Sequence, residues 1–250
     1  MYYKYNGYNI YYEKYGNSKK TIIILPGWGY TRPTFNNIID KFKNKYTIYI
    51  FDYPGFGNSK IINENLTIYD YSKIIYNFIK DNKITNITII AHSFGGRISS
   101  ILISKEKLKV NKLILIDVAG IKRINIKLLI KKYIYKLLKL LSCLLPLEKK
   151  YLVRKKLFQL FSSNDYYSLP PNMYITFKNI IKEDLTKYYK KINIKTLIIW
   201  GEKDIDTPLK DAKKLNKIIK NSKLITYKNE NHFSYLNKEI IKDINNFLNN

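Results

Sequence analysis

Residues 87–100 read ITIIAHSFGGRISS, and this stretch decides the fold. A short run of β-branched and apolar residues, typical of a fully buried strand, leads through Ser93 into a segment with helical spacing. Small residues surround the turn, since Ala91 and Gly95 flank Ser93 and Gly96 follows. The stretch therefore predicts a sharp turn from strand to helix that lifts the Ser93 hydroxyl above the strand ends, beside a helix N-terminus.

The rest of the chain repeats this alternation of buried strands and amphipathic helices. The dipeptide Asn6-Gly7 is a hairpin signal between tyrosine-rich segments within residues 2–15. Runs of the buried-strand type occur at 21–25, 46–51, 87–90, 113–116, 196–200 and 223–227. Segments with helical periodicity lie between most of them, at 34–43, 67–80, 94–105 and 208–219. The pattern predicts an α/β fold with a mostly parallel sheet, an N-terminal antiparallel hairpin and helices on both faces.

The alternation stops between residues 121 and 191, where no buried-strand run occurs. This region opens with INIKLLIKKYIYKLLKLLSCLL (124–145), whose lysines keep every apolar run shorter than a membrane-spanning helix needs. We interpret it as an amphipathic helix that packs over the main domain, with a membrane-surface helix as the alternative. The sequence FKNIIKEDLTKYYKKI (177–192) predicts the last helix of the region. We therefore expect an α/β core of residues 1–120 and 192–250 with a helical cap insertion at 121–191.

The formal net charge of +26 raises the question of a nucleic-acid or anionic-membrane partner. The basic residues are spread along the chain, and only four are arginines, the side chain best suited to phosphates and bases. We take the charge as background and expect neither nucleic-acid binding nor stable membrane insertion. Cys143 is the only cysteine, which excludes an intramolecular disulfide. Because the start of the sequence also lacks a signal-peptide pattern, we expect a cytoplasmic protein.

A nucleophilic serine needs a general base, nearly always histidine, and the chain has two. His92 adjoins Ser93, and neighbouring side chains at such a turn point in different directions, so we interpret His92 as a packing or supporting residue. His232 follows the last predicted strand, in a loop before the C-terminal helix. The carboxyl ends of parallel strands meet at one edge of a sheet, and His232 is therefore the better candidate for the base.

The third residue should be an acid that orients the imidazole and stabilises its charged form. Asp204 follows the strand predicted at 196–200, and Asp117 closes an earlier strand as its rival. We favour Asp204. The minor options are Glu202 and Asp206.

The chain order of nucleophile, acid and base resembles that of the α/β-hydrolase fold superfamily, in particular its capped group of serine hydrolases and esterases. Two further motifs carry the resemblance. LPGWG (25–29) resembles the family's His-Gly-x-Gly oxyanion loop, with Pro26 in place of the histidine, and DYPGFGNS (52–59) resembles its Asp-x-Pro-Gly-x-Gly-x-Ser loop. The resemblance implies that the backbone N–H groups of Trp28 and Phe94 form the oxyanion hole.

The resemblance also implies a function, namely a serine hydrolase that cleaves a small carboxylic ester through an acyl-enzyme. Dehalogenases and epoxide hydrolases of this fold attack with an aspartate, and Ser93 excludes those activities. The alternatives are a thioester or carbon–carbon bond hydrolase, an enzyme like the pimeloyl-carrier-protein methyl ester esterase, with an acidic carrier protein as partner, and an inactive binding protein. The sequence has no G-x-x-x-x-G-K-[ST], G-x-G-x-x-G or H-E-x-x-H motif and no cysteine pair, so we expect no cofactor and no metal.

Overall fold

The strands form one sheet in the computed structural model, which describes residues 1–122, 126–146, 149–154, 156 and 170–249. They are Tyr2–Tyr5 (β1), Tyr8–Tyr15 (β2), Thr21–Leu25 (β3), Thr47–Phe51 (β4), Ile87–His92 (β5), Lys112–Ile116 (β6), Lys195–Gly201 (β7) and Ser222–Tyr227 (β8). Their order across the sheet is β1-β2-β4-β3-β5-β6-β7-β8. β1 and β2 form an antiparallel hairpin, β2 pairs antiparallel with β4, and all pairs among β3 to β8 are parallel. The predicted fold class is confirmed.

Helices cover both faces of this sheet. The α-helices are Asn36–Phe42 (α1), Ile68–Asp81 (α2), Phe94–Ser104 (α3), Ile126–Leu141 (α4), Tyr174–Lys182 (α5), Thr186–Tyr189 (α6), Leu209–Ile218 (α7) and Lys238–Asn249 (α8). Successive residues of a strand point to opposite faces, so Ile23 of β3 packs in a cluster with α2, α3 and α7. Its neighbours Ile22 and Ile24 pack with α1 and α8. Strands buried on both faces explain the uninterrupted apolar runs of the sequence.

The prediction of a single helix at 177–192 is wrong, because the chain forms two helices there and turns between α5 and α6. The carboxylate of Asp184 accepts hydrogen bonds from the backbone N–H and the hydroxyl of Thr186. The N–H of Leu185 donates to the carbonyl of Gly120 over 2.9 Å instead of continuing a helix. A local side chain to backbone hydrogen bond of this kind competes with helix formation.

The chain divides into two compact units, one of residues Met1–Ile121 with Ile175–Asn250 and one of residues Lys122–Tyr174. The second unit contains α4, and its cap role and the boundaries at 121 and 191 stay predictions. Residues 157–169 of the predicted insertion lie outside the described residues. Within the described part of the chain, every helix is too short or too polar to cross a membrane.

The parallel strands bring four loops to one edge of the first unit. Ala91 in β5 pairs with Leu25 in β3 on one side and with Leu115 in β6 on the other. β6 pairs in parallel with β7, and β7 pairs in parallel with β8. Residues that directly follow β5, β6, β7 and β8 therefore emerge together, as expected for the edge where α/β folds bind ligands.

Candidate active site

Ser93 forms the turn between β5 and α3 in a conformation that few residues other than glycine adopt, with φ of 47°. Its N–H donates to the carbonyl of Ile116 over 3.2 Å. Its own carbonyl accepts from the N–H groups of Gly96 and Ala119, both over 3.0 Å. Such a backbone costs on the order of 1–3 kcal/mol and persists where the surroundings enforce it. The three hydrogen bonds hold the backbone of Ser93 in this conformation and so fix the direction of its side chain.

Two glycines let the start of α3 pack tightly at this turn. A Cβ added to Gly95 would lie 2.0 Å from the carbonyl oxygen of Leu25, the last residue of β3. A Cβ on Gly96 would lie 2.4 Å from the Cβ of Val118. The glycines thus place the helix N-terminus against the strand that leads into the loop at 25–29.

Ser93, His232 and Asp204 form one chain of hydrogen bonds, although they are far apart in sequence. With the ring proton on Nδ1, the Ser93 hydroxyl donates to Nε2 of His232 over 2.9 Å. Nδ1 of the same ring donates to Oδ2 of Asp204 over 2.8 Å. His232 and Asp204 are buried, whereas Ser93 is partly exposed. The structure therefore brings together the three residues predicted as nucleophile, base and acid, and the serine is the most exposed of them.

Asp204 is held as a carboxylate by donors on both of its oxygens. Oδ1 accepts from the N–H groups of Asp206 and Thr207, both over 2.8 Å, and Oδ2 accepts from the Thr207 hydroxyl over 2.6 Å. Burial opposes the charge, but the hydrogen bonds from His232 and Thr207 and the charge of His232 lower the pKa of Asp204 below its usual value. Asp204 is consequently ionised at neutral pH and faces the imidazole.

The surroundings of His232 favour the protonated form of its imidazole. Burial alone would lower its pKa, but the hydrogen bond and charge of Asp204 raise it, and the charges of Asp117 and Asp206 add to the effect. The net result is a pKa above the ordinary value for histidine. A proton taken from Ser93 would therefore be stabilised on the ring.

His92, predicted to pack or support, is fully buried behind His232. Its Nε2–H donates to the backbone carbonyl of His232 over 2.8 Å, and its ring contacts that of Tyr235 at a centroid distance of 4.6 Å. Burial, with a smaller contribution from the charge of His232, lowers the pKa of His92 to about 3. His92 is therefore neutral and holds the main chain of the base without touching the serine hydroxyl.

Asp117, the rival acid, directs its carboxylate elsewhere. Oδ1 accepts from the N–H of Gly201 over 2.8 Å, and Oδ2 accepts from the backbone N–H of Ser234 over 3.3 Å and from the Ser234 hydroxyl. Burial raises the pKa of Asp117 to about 7. Glu202 and Asp206, the minor options, are exposed. Of these candidate acids, Asp204 is the one whose carboxylate is hydrogen-bonded to the imidazole of His232.

The two residues predicted to form an oxyanion hole adjoin the turn at Ser93. Phe94 is the first residue of α3, so its N–H has no partner within the helix. The indole of Trp28 contacts the ring of Phe94 edge to face, with centroids 5.1 Å apart. Trp28 lies in a turn closed by a 3.2 Å hydrogen bond from the N–H of Tyr30 to the carbonyl of Gly27. The loop at 25–29 thus borders the start of α3.

Asp204, Asp206 and His232 are also the one group of potential metal ligands found among the residues that the structure describes, with ligand atoms within 4.8 Å of one another. Nδ1 of His232 is already joined to Asp204, whose carboxylate accepts three further hydrogen bonds from Asp206 and Thr207. These hydrogen bonds occupy Nδ1 of His232 and both oxygens of Asp204.

Two residues that hold the site are absent from the sequence prediction. Thr207 donates to the acid from both its backbone and its hydroxyl, and Ser234 binds Asp117 beyond the base. The first had a usable signal, because an aspartate three residues before a threonine often closes a local side chain to backbone turn. Ser234 had none, since its partner lies 117 residues away.

Comparisons with known proteins agree with this fold. The family described as alpha/beta hydrolase fold matches residues 20–126, and that described as TAP-like protein matches residues 179–250. The chain belongs to the α/β-hydrolase fold superfamily. The superfamily predicted from the motifs is thereby confirmed.

Solved structures match nearly the whole chain. An esterase from Exiguobacterium antarcticum superposes with a TM-score of 0.74 at 21% identity, over 98% of this chain and 97% of its own. A bromoperoxidase from Bacillus anthracis gives 0.75 at 20% identity, over 97% and 96%. At these identities the match supports the fold alone.

Two relatives are similar in sequence over most of their lengths. An uncharacterized hydrolase of Bacillus subtilis is 26% identical over 91% of this chain and 89% of its own. A pimeloyl-[acyl-carrier protein] methyl ester esterase of Wigglesworthia glossinidia brevipalpis is 27% identical over 78% of this chain and 79% of its own. Both names are those of hydrolases.

Proposed function

We propose that this α/β-hydrolase superfamily member is a serine hydrolase that cleaves a small carboxylic ester through an acyl-enzyme intermediate. The observation that carries the proposal is the chain of hydrogen bonds from Ser93 through His232 to Asp204, at 2.9 and 2.8 Å. The 2.9 Å distance lies in the range expected for a nucleophile and a base that exchange a proton, and the 2.8 Å distance suits an acid that orients the base.

In the first half of the reaction, the Ser93 oxygen attacks the ester carbonyl carbon while Nε2 of His232 takes the hydroxyl proton. Asp204 stabilises the imidazolium, and the N–H groups of Trp28 and Phe94 bind the oxygen that becomes negative. The tetrahedral intermediate then collapses. The carbon–oxygen bond to the alcohol breaks, and His232 gives its proton to the leaving alcohol oxygen.

In the second half, a water molecule replaces the alcohol. Nε2 of His232 takes a proton from the water as its oxygen attacks the acyl carbon on Ser93. Collapse of this second intermediate breaks the bond to the Ser93 oxygen, which recovers its proton from His232. The carboxylic acid leaves and the site returns to its starting state.

A second candidate substrate is a methyl ester carried on an acidic carrier protein. Two observations favour it, namely the activity for which the relative from Wigglesworthia glossinidia brevipalpis is named and the formal net charge of +26, which would attract an acidic partner. The same three residues would perform the reaction. The cytoplasmic location stays a prediction.

The test combines a panel of p-nitrophenyl esters of rising chain length with labelling by a fluorophosphonate. Ser93→Ala should lose both hydrolysis, by about 10⁴-fold or more, and labelling, because the hydroxyl oxygen carries the acyl group. Ser99→Ala is the matched control, since its hydroxyl bonds only a carbonyl of its own helix. Ester hydrolysis retained by folded Ser93→Ala would contradict the proposal, and a folded wild-type protein that neither labels nor turns over would favour the inactive binding protein.

A further inference from the structure

Asp117 lies at the end of β6, where the loop that carries the acid meets the loop that carries the base. Gly201, whose N–H its Oδ1 accepts over 2.8 Å, lies three residues before Asp204. Ser234, whose backbone N–H and hydroxyl its Oδ2 accepts, lies two residues after His232. One carboxylate therefore bridges the two loops.

The main chain of Asp117 contacts β7 and the loop of Asp204. Its N–H donates to the carbonyl of Ile199 in β7 over 3.1 Å. Its carbonyl oxygen lies 3.1 Å from the hydroxyl of Thr207, which is also 2.6 Å from Oδ2 of Asp204. The Thr207 backbone N–H in turn donates to the Asp204 carboxylate. Asp117 thus reaches the proposed acid through a single intervening side chain.

An acid at this place has a cost that packing does not explain. Asp117 is fully buried, where an ionisable group is unfavourable unless its hydrogen bonds compensate. Its φ of 46° is uncommon for residues other than glycine, asparagine, aspartate and histidine. Asparagine would suit that backbone at least as well, but its amide nitrogen would face the Gly201 or the Ser234 donors. Only a carboxylate offers acceptors in both directions.

We propose that Asp117 is a positioning residue that ties the loop of Asp204 to the loop of His232 and so keeps the imidazole aligned between its two partners. This inference rests on the proposed function. Misplacement of a reacting group by about 1 Å costs on the order of 10²-fold in rate. Loss of the bridge should therefore reduce turnover while leaving substrate binding unchanged.

The decisive variant is Asp117→Asn, assayed on one short-chain p-nitrophenyl ester. We expect kcat to fall by about 10-fold to 100-fold with KM within about twofold of wild type. Asp70→Asn is the matched control, because the Asp70 carboxylate completes the capping box of α2 by accepting hydrogen bonds from Thr67. It should lower the melting temperature and leave kcat unchanged, so a fall in kcat for Asp117→Asn is not a general effect of destabilisation.

A pH profile distinguishes positioning from a merely structural role. The acid limb of kcat/KM reports the free base His232, which faces the charges of Asp204, Asp117 and Asp206 and the neutral ring of His92. Burial raises the pKa of Asp117 to about 7, so its negative charge is only partly present over the acid limb. Asp117→Asn removes that partial charge, so the acid limb should move slightly to lower pH. Loss of stability alone would not move it.

Ser234→Ala keeps the carboxylate and removes one arm of the bridge. We expect a loss in kcat of roughly threefold to tenfold at unchanged KM, with no shift of the acid limb. An unchanged kcat in folded Ser234→Ala overturns the proposal even if Asp117→Asn does not fold. The proposal is also overturned if Asp117→Asn keeps kcat within about twofold of wild type and retains the wild-type acid limb.

Fluorophosphonate labelling of the wild type at Ser93 is measured first. Absence of labelling and of turnover overturns both the proposed function and this inference. A labelled, active wild type with unaffected Asp117 and Ser234 variants overturns the positioning role alone.

Discussion

Two histidines side by side show how surroundings decide what a residue does. The rings of His92 and His232 lie 4.9 Å apart between centroids, yet their pKa values shift in opposite directions. His92 is fully buried and its ring bonds a neutral carbonyl, so burial dominates and lowers its pKa. His232 bonds the Asp204 carboxylate, which outweighs its burial and raises its pKa. Only His232 is suited to take a proton near neutral pH.

This contrast predicts different effects of removing each ring. His232→Ala should lower kcat on a short-chain p-nitrophenyl ester by about 10⁴-fold or more, because it removes the base that bonds the Ser93 hydroxyl among the described residues. His92→Ala should cost far less in kcat and more in stability, since it leaves a cavity and frees the His232 carbonyl. Steady-state kinetics and thermal melts on both variants check this. Greater damage to kcat from His92→Ala would reverse the roles.

The lowered pKa of His92 also predicts a dependence of stability on pH. Between the ordinary pKa of 6.5 and the folded value of about 3, the unfolded chain binds a proton that the folded chain does not. The contribution of neutral His92 is therefore complete above pH 6.5 and is lost progressively as the pH falls below it. Denaturant melts at several pH values between about 7 and 4 measure this slope. His92→Asn does not titrate, so its free energy of unfolding should vary less over that window. Equal slopes in both proteins would contradict the assignment.

At the scale of elements, the turn from β5 into α3 depends on the absence of a side chain at Gly95. Its Cβ would meet a backbone carbonyl of β3 at 2.0 Å, and backbone cannot move aside as a flexible side chain can. Gly95→Ala should therefore destabilise the protein by about 3 kcal/mol, or roughly 10 °C in melting temperature for a chain of this size. Ser100→Ala in the same helix adds no atoms and is the control. Thermal melts compare the two, and a Gly95→Ala variant as stable as Ser100→Ala would show that α3 can shift without cost.

The elements themselves are largely predictable, for a physical reason. Parallel strands buried on both faces require continuous apolar runs, so the sequence predicts β3 at its observed bounds and β7 to within one residue at each end. The turn between α5 and α6 is not predictable in this way, because Asp184 ends the helix through a local hydrogen bond that competes with a strong helical period. The position of β4 between β2 and β3 cannot be predicted from the sequence either, because the crossover connections between strands determine their order in the sheet.

The site also has a part that the sequence predicts and a part that it does not. Ser93 and Asp204 each follow a buried strand, and His232 follows the edge strand β8, whose residues are partly or fully exposed although a buried strand is predicted at 223–227. The apolar runs still indicate three parallel strands, so the common edge of the three residues can be inferred from the sequence alone. The bridging contacts of Asp117 and the support from Thr207 depend on which hydrogen-bond partners the folded loops present. A one-dimensional pattern carries no such information.

The whole molecule carries a formal net charge of +26, and this charge separates the two candidate substrates. The attraction between oppositely charged proteins weakens with salt, because the Debye length falls from about 30 Å at 0.01 M to about 10 Å at 0.1 M ionic strength. A neutral ester of low molecular weight feels little of this field. Only a substrate carried on an acidic protein should therefore reach the site at a strongly salt-dependent rate.

The experiment compares p-nitrophenyl acetate with a methyl ester on an acidic acyl carrier protein. It adds the same acyl methyl ester free of the carrier, with the carboxyl group that joined the carrier capped as a neutral amide. If the carrier-bound ester is a substrate, its kcat/KM should fall by about tenfold or more between roughly 0.02 and 0.5 M sodium chloride. The values for the two free esters should change less than about twofold, because their encounter with Ser93 involves no net charge. A uniform response of all three esters would mean that salt acts on the enzyme itself. Hydrolysis of the free esters alone would exclude the carrier-bound substrate and leave the small-ester hydrolase in place.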